Sequence, residues 1–177
     1  VDKAIKIHDT YPVVTAAFGR SMTGGLLMGS MLKEEERLSL QINGSGEIGK
    51  IIVNVDAKGN INGYIINPYV ELKLKDGKLD VGKDGTLKVI KDLNLKEPWI
   101  GEVPLQTGEI AEDLTYYFAV SEQIPTAVSL GVLVEEDGSV KASGGFIIQL
   151  LPNASETLIS KVENLIKKYT TNFFFNF

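Results

Sequence analysis

The side chains that could do chemistry in this chain are few and widely spaced. His8 is the only histidine, and the 177 residues contain no cysteine. A hydrolytic triad needs a base beside a nucleophile, and a zinc site needs three or four ligands. One histidine in a polar N-terminal segment supplies neither, so His8 is expected at the surface. Without cysteine the chain can form no disulfide and no thiolate metal site. Gly44-Ser45-Gly46-Glu47-Ile48-Gly49 spells G-x-G-x-x-G. In a dinucleotide fold that pattern leads into a helix whose N-terminus holds pyrophosphate. Here the β-branched run 50–55 follows instead, so the glycines are expected to form a strand connection. The alternative function they leave open is a nucleotide- or small-molecule-binding protein using the loop from Gly44 to Gly49.

Arg20 stands near the middle of the apolar stretch 13–32. Buried, it requires a carboxylate or carbonyl partner, and a structural salt bridge is expected. Glu109, Glu112 and Asp113 cluster, but at the start of an expected helix, where helix polarity accounts for them without a metal. Trp99, Tyr116, Tyr117 and Phe118 could make a binding patch; core packing is the expected use for most of them. The net charge of −5 argues against a broad surface for nucleic acid or anionic membrane. Stretch 13–32 is long enough to span a bilayer, and Gly25 and Gly29 form a small-xxx-small pair. Arg20 at its centre makes a buried core helix the better reading. Residues 1–9 are polar and mixed in charge, so no signal peptide is expected.

The elements that must position these residues follow from periodicity. Thr10 is expected to cap the apolar helix, with Pro12 in its first turn, and Val14, Phe18, Met22 and Met28 near one face. The run Lys33-Glu34-Glu35-Glu36-Arg37 ends it as a solvated turn. Segment 38–42 alternates as a strand, and the β-branched segment 50–56 and its return 61–66 are expected to form a hairpin about a turn at 57–60. A second turn is expected at Asp76-Gly77, then strands over 86–90 and 99–105, the latter held near an edge by Pro98 and Pro104. Thr107 is expected to cap a helix with Ile110, Leu114 and Tyr117 inward. Segments 126–134 and 140–151 flank the hairpin turn Glu136-Asp137-Gly138. The last helix is expected to open with a capping box of Asn153 and Glu156, to show a stripe of Leu158, Val162, Leu165 and Tyr169, and to carry Lys167 and Lys168 at its negative end. The sum is a single α+β domain rich in hairpins.

Four stretches also carry a resemblance. They are Gly19-Arg20-Ser21-Met22-Thr23, then Gly85-Thr86-Leu87-Lys88-Val89-Ile90-Lys91-Asp92-Leu93, then Thr115-Tyr116-Tyr117 with Ser121-Glu122-Gln123-Ile124-Pro125, and Ala142-Ser-Gly-Gly-Phe-Ile-Ile-Gln-Leu-Leu-Pro152. In order and spacing they resemble the core domain of the redox-regulated 33 kDa chaperonin (heat-shock protein 33) family. The resemblance implies large crossing β-sheets packed against helices over 1–170. It also implies a cytoplasmic holdase, not an enzyme, that binds unfolded client proteins without ATP, with neither nucleic acid nor membrane as partner. Zinc, held by four cysteines whose oxidation switches the family on, is implied for a C-terminal region. This chain is therefore expected to lack that region and the family's first strand, and to hold no cofactor itself. The open sheet edge left by the missing strand invites pairing, as in a homodimer; a purely structural dimerisation domain is a further alternative. Ile61, Tyr64, Ile66 and Tyr69 are the candidate client-binding residues. The phenylalanine-rich tail 171–177 departs from the family pattern; it is expected to be an artefact, and otherwise a dimer contact or a segment docked on an apolar groove.

Overall fold

The computed structural model describes residues 1–71, 81, 82 and 84–175, with side chains through residue 166. The turn expected at Asp76-Gly77, the side chains of Lys167, Lys168 and Tyr169, and the aromatic side chains of the tail lie outside the described residues. The elements are α1 (Asp2–His8), α2 (Pro12–Gly29), β1 (Arg37–Asn43), β2 (Lys50–Asp56), β3 (Ile61–Ile65), β4 (Thr86–Asp92), β5 (Trp99–Pro104), α3 (Ile110–Tyr117), β6 (Thr126–Val134), β7 (Val140–Gln149) and α4 (Glu156–Phe175). Strands β1 to β5 form an antiparallel sheet in the order β3-β2-β1-β4-β5, and β6 and β7 form a separate hairpin.

Alternation decides which face of the large sheet is wet. Leu38, Leu40 and Ile42 are buried, and Leu40 lies level with Val53 on β2 and Val89 on β4. These apolar rows pack on α2, which is packed against the β6–β7 hairpin on its other side. A helix held between two β-layers cannot be amphipathic, and the small residues of α2 are what let both layers approach. A Cβ on Gly25 would lie 2.8 Å from Val53 Cγ1, and one on Gly29 2.6 Å from Val55 Cγ2. On the hairpin side a Cβ on Gly19 would lie 2.9 Å from Val132 Cγ2. The hydroxyls of Ser21 and Thr23 donate to the carbonyls of Ala17 and Gly19, so burial leaves neither unpaired.

Helix ends differ from expectation: at α3 another side chain takes the amides, and at α2 no side chain does. Thr10 does not cap α2; its hydroxyl meets that of Thr15 at 2.7 Å, and Tyr11 is the N-cap residue. Thr107 does not cap α3 either. Glu109 does, its Oε2 accepting from the amides of Ala111 and Glu112. Asp113, one turn on, reaches back to accept from the amides of Gln106, Thr107 and Gly108. After α3 a π-helical turn, Phe118–Glu122, buries Phe118 and ends at Gln123 in the left-handed region. No Asn153–Glu156 capping box forms: Asn153 is itself left-handed at φ 68°, and the Ser155 hydroxyl accepts from Leu158 N–H. Of the stripe expected on α4, Leu158 and Leu165 are exposed, and Ile159, Val162 and Ile166 line the cleft against the hairpin. α1 has no counterpart in the sequence reading. It is a short helix, Ile5 is its buried residue, and it ends where Asp9 N–H donates to Ile5 O.

Candidate functional site

Strand β3 is an outer strand of the large sheet, and its two faces separate the four candidate residues. Tyr64 lies level with Ile52 of β2, and Asn62 level with Asn54, on the face turned away from α2. Ile61 is on the opposite side. It packs half-buried against the core, with its Cδ1 near Gly25, so it does not join the exposed set. Tyr64, Ile66 and Tyr69 are 56%, 57% and 58% exposed, and Tyr11 at 41% extends them. Asn67 and Pro68 turn the chain so that Tyr69 meets Tyr11 edge-on, ring centroids 5.8 Å apart. Tyr11 N–H donates to Pro68 O at 3.0 Å and fixes the pair. Exposed apolar side chains are ordinary singly; a contiguous set of them is the informative case.

His8 buttresses this patch. Its ring stands edge-on to Phe18 at 5.3 Å and to Tyr64 at 6.3 Å. Nε2 lies 3.1 Å from Gly63 O. A carbonyl only accepts, so this nitrogen carries the proton. The residue is half-buried, contrary to the surface position expected from its polar segment. The outer face changes character across the sheet. Level with Tyr64 and Ile52 run Gln41, then Lys88 and Glu102, whose ion pair spans 2.7 Å.

The charged residues inside the fold are structural. Arg20 meets Glu109 at 3.1 Å, as the salt-bridge expectation required, and so ties α2 to the N-terminus of α3. Burial raises the Glu109 carboxyl above its ordinary value, while Arg20 and the two capped amides pull the other way. Glu122, on the π turn, accepts from Tyr117 Oη at 2.8 Å and pairs with Lys91, which lies over the Trp99 ring. Burial, with the Glu122 charge added, pushes the Tyr117 hydroxyl up. Tyr117 and Phe118 are fully buried, and Trp99 and Tyr116 pack partly buried on the core. That cluster is core, as expected.

In the glycine loop between β1 and β2 the three glycine amides are turned to backbone carbonyls. Gly44 N–H donates to Gly49 O, Gly46 N–H to Val81 O and Gly49 N–H to Gly46 O. A Cβ on Gly44 would lie 2.0 Å from Val81 O, so the glycine serves close backbone approach. Among the described residues no cluster of three or more His, Cys, Asp or Glu side chains is placed to hold a metal. With no cysteine in the chain, the thiolate zinc site implied by the resemblance has none of its ligands here. Among the described residues no helix is long and apolar enough to cross a membrane.

Comparison with known proteins agrees with this geometry. The family model described as Hsp33 protein matches residues 1–173. The 33 kDa chaperonin of Staphylococcus carnosus is 50% identical over 175 residues, covering 96% of this chain and 60% of that protein. The 33 kDa chaperonin of Clostridium botulinum (strain Alaska E43) is 55% identical over 168 residues, covering 92% and 57%. The crystal structure of the 33 kDa chaperonin (heat shock protein 33 homolog) from Thermotoga maritima superposes with a TM-score of 0.87 at 42% identity, covering 94% of this chain and 59% of that one. The exposed apolar patch therefore lies on an α+β core whose matches are proteins named 33 kDa chaperonin. The chain belongs to the Hsp33 protein family. It spans about 60% of the length of the curated relatives it matches.

Tyr64, Ile66 and Tyr69 are exposed, and the structure adds Tyr11 and His8 beside them. Both lie more than fifty positions from their partners, as the His8–Gly63 bond shows with a separation of 55 residues. No local pattern marks such a pair. The one usable signal was Pro12 and Pro68, each beside a tyrosine at the end of an element.

Proposed function

We propose that this chain is the client-binding core of a holdase that captures unfolding proteins without ATP. The observation that carries the reading is the uncharged surface of Tyr11, Tyr64, Ile66 and Tyr69 on a fold shared with 33 kDa chaperonins. Apolar side chains released by an unfolding protein gain roughly 25 cal/mol per Å² when they leave water, and such a patch supplies a place to do so without chemistry. The backbone bonds made by Gly44, Gly46 and Gly49 support a capture step that uses no nucleotide. In the longer relatives we assign redox control and zinc to the segment beyond this core, in a cytoplasmic protein able to pair with a second copy. This chain carries the client surface. The test is light scattering from a heat-denaturing client with and without the chain. Suppression of aggregation at a few-fold excess of chain is expected; no suppression at any ratio rejects the reading.

A further inference from the structure

When glycine follows asparagine, the glycine nitrogen can attack the asparagine side-chain amide, because no side chain hinders its approach. The chain contains this dipeptide twice, at Asn43-Gly44 and Asn62-Gly63. Packing requires the glycine in both. A Cβ on Gly44 would lie 2.0 Å from Val81 O, and one on Gly63 would lie 2.7 Å from Phe18 Cε2. The fold therefore retains two chemically labile pairs, and their surroundings differ.

Asn43 ends the central strand β1 and is level with Lys50 on one side and Thr86 on the other. Its side chain donates to Thr86 Oγ1, and Gly44 N–H donates to Gly49 O at 3.0 Å, so the attacking nitrogen is held. Asn62 is exposed on β3, which pairs with β2 alone among the described strands. In an antiparallel ladder, alternate residues point both backbone groups at the same neighbour. Ile66 N–H donates to Lys50 O and Asp56 N–H to Asn60 O, so Asn62 faces Asn54 and the Gly63 N–H points away from β2. Among the described residues that N–H meets no acceptor. The Gly63 carbonyl, held by His8, belongs to the next peptide group. The Asn62–Gly63 peptide can therefore turn by releasing the one ladder bond that Asn62 O accepts from Asn54. Glycine then adopts either sign of φ.

We propose that Asn62 is a site of spontaneous deamidation, where the chain converts to aspartate or isoaspartate beside the apolar patch. Once the peptide turns, the Gly63 nitrogen attacks Asn62 Cγ. The N–Cγ bond forms, the Cγ–Nδ2 bond breaks, and ammonia leaves with the proton from the Gly63 nitrogen. Water then opens the cyclic imide. Opening at one carbonyl gives aspartate; opening at the other gives isoaspartate, with the main chain running through Cγ. Asn54 assists the attack, because its Nδ2 donates at 3.1 Å to Asn62 Oδ1, where negative charge develops. Isoaspartate adds one carbon to the backbone just before Tyr64. Side chains alternate along a strand, so this puts Tyr64, turned outward, and Ile65, turned into the core, out of step with β2. The resulting loss of client capture rests on the holdase reading; the modification itself does not.

The test ages the full chain in mildly alkaline buffer below its melting temperature. Peptide mass mapping then follows positions 43 and 62, with aspartate and isoaspartate separated by chromatography. Asn62 is expected to convert at least about 10-fold faster than Asn43 in the folded chain, because a strand paired on both sides opens more rarely. In concentrated urea the two rates are expected to agree within about 3-fold, since both dipeptides then lie in open chain. Asn62→Gln keeps an amide but must close a larger ring, and is expected to stay unconverted at this position. Conversion of Asn62 no faster than that of Asn43 in the folded chain overturns the proposal, as does an Asn62 that converts only in urea. In the scattering assay the aged parent chain is expected to lose about half or more of its suppression, and aged Asn62→Gln to keep it. Suppression that survives full conversion, or equal loss in both chains, overturns the effect on the patch and leaves the modification standing. If the fresh chain suppresses nothing, the holdase reading falls, and the mass comparison still decides the modification.

Discussion

Arg20 and Glu109 show how one buried pair can hold two elements in place. Both side chains are nearly enclosed, at 13% and 14% exposure. Glu109 also caps α3 through its other oxygen, and Arg20 Nε has no partner among the described residues. Removing one partner strands a charge, which costs about 3 to 5 kcal/mol, whereas replacing both by neutral groups of similar shape is often close to neutral. Arg20→Met alone is therefore expected to lower the urea midpoint sharply, and Arg20→Met with Glu109→Gln to recover much of the loss. A double variant no better than the single one would show that packing, not charge, governs the site. The pH dependence follows from the raised carboxyl. With the folded value above the ordinary 4.5, the folded state takes up the proton first as pH falls. The cost of keeping Glu109 charged is full at neutral pH and fades as pH falls through the folded value. In Arg20→Met that value rises further, so the deficit relative to the parent chain is expected to be smaller at pH 5 than at pH 7. On the surface, Tyr64→Ser with Tyr69→Ser removes two exposed rings and is expected to change stability by less than about 1 kcal/mol. It should at least halve aggregation suppression in the scattering assay; full suppression would move the client site elsewhere.

At the scale of elements, α2 decides whether the fold closes. Alanine in place of a helical glycine ordinarily adds about 1 kcal/mol of stability. Here the added Cβ on Gly25 or Gly29 meets a valine methyl at 2.8 or 2.6 Å. Valine is stiff at χ1 and sits in a paired strand, so it cannot swing aside. Overpacking of this kind costs about 1 to 3 kcal/mol. Gly25→Ala and Gly29→Ala are thus expected to lower the melting temperature despite the better propensity. Gly24→Ala meets the far ends of two leucines, Leu114 Cδ1 at 2.9 Å and Leu130 Cδ1 at 3.4 Å, and is expected to cost less. A higher melting temperature for Gly29→Ala would contradict the close packing of α2 on β2. β1 follows from alternation, since a half-buried sheet needs it, and the later strands from the turns and prolines that bound them. The helix caps do not, because a hydroxyl or carboxylate within reach of an amide is one of several. Glu109 won over Thr107, and Ser155 over Asn153, through geometry set by the packed helices. Leu158 and Leu165 are exposed on α4 for a related reason: periodicity gives a stripe, and of it Val162 faces the hairpin, joined there by Ile159 and Ile166.

For the molecule as a whole, the absence of thiols makes a firm prediction. Mild peroxide is expected to leave client capture unchanged, because no cysteine is present, Met22 and Met28 are buried, and the exposed Met31 follows α2 and is not one of the patch residues. A several-fold peroxide activation would mean that control resides in this core. Composition, the missing thiolate chemistry, the strand segments, the buried character of α2 and the need of Arg20 for a partner were all determined by the sequence itself. Each depends on residue type or on spacing within one element, where the backbone period is known. Which carboxylate meets Arg20, which side of β3 turns to water, and the meeting of His8 with Gly63 and of Tyr11 with Tyr69 were decided only by tertiary structure. Those contacts join residues far apart in the chain, and their geometry is set by how α2 lies between the sheet and the hairpin, a packing result that no local period encodes.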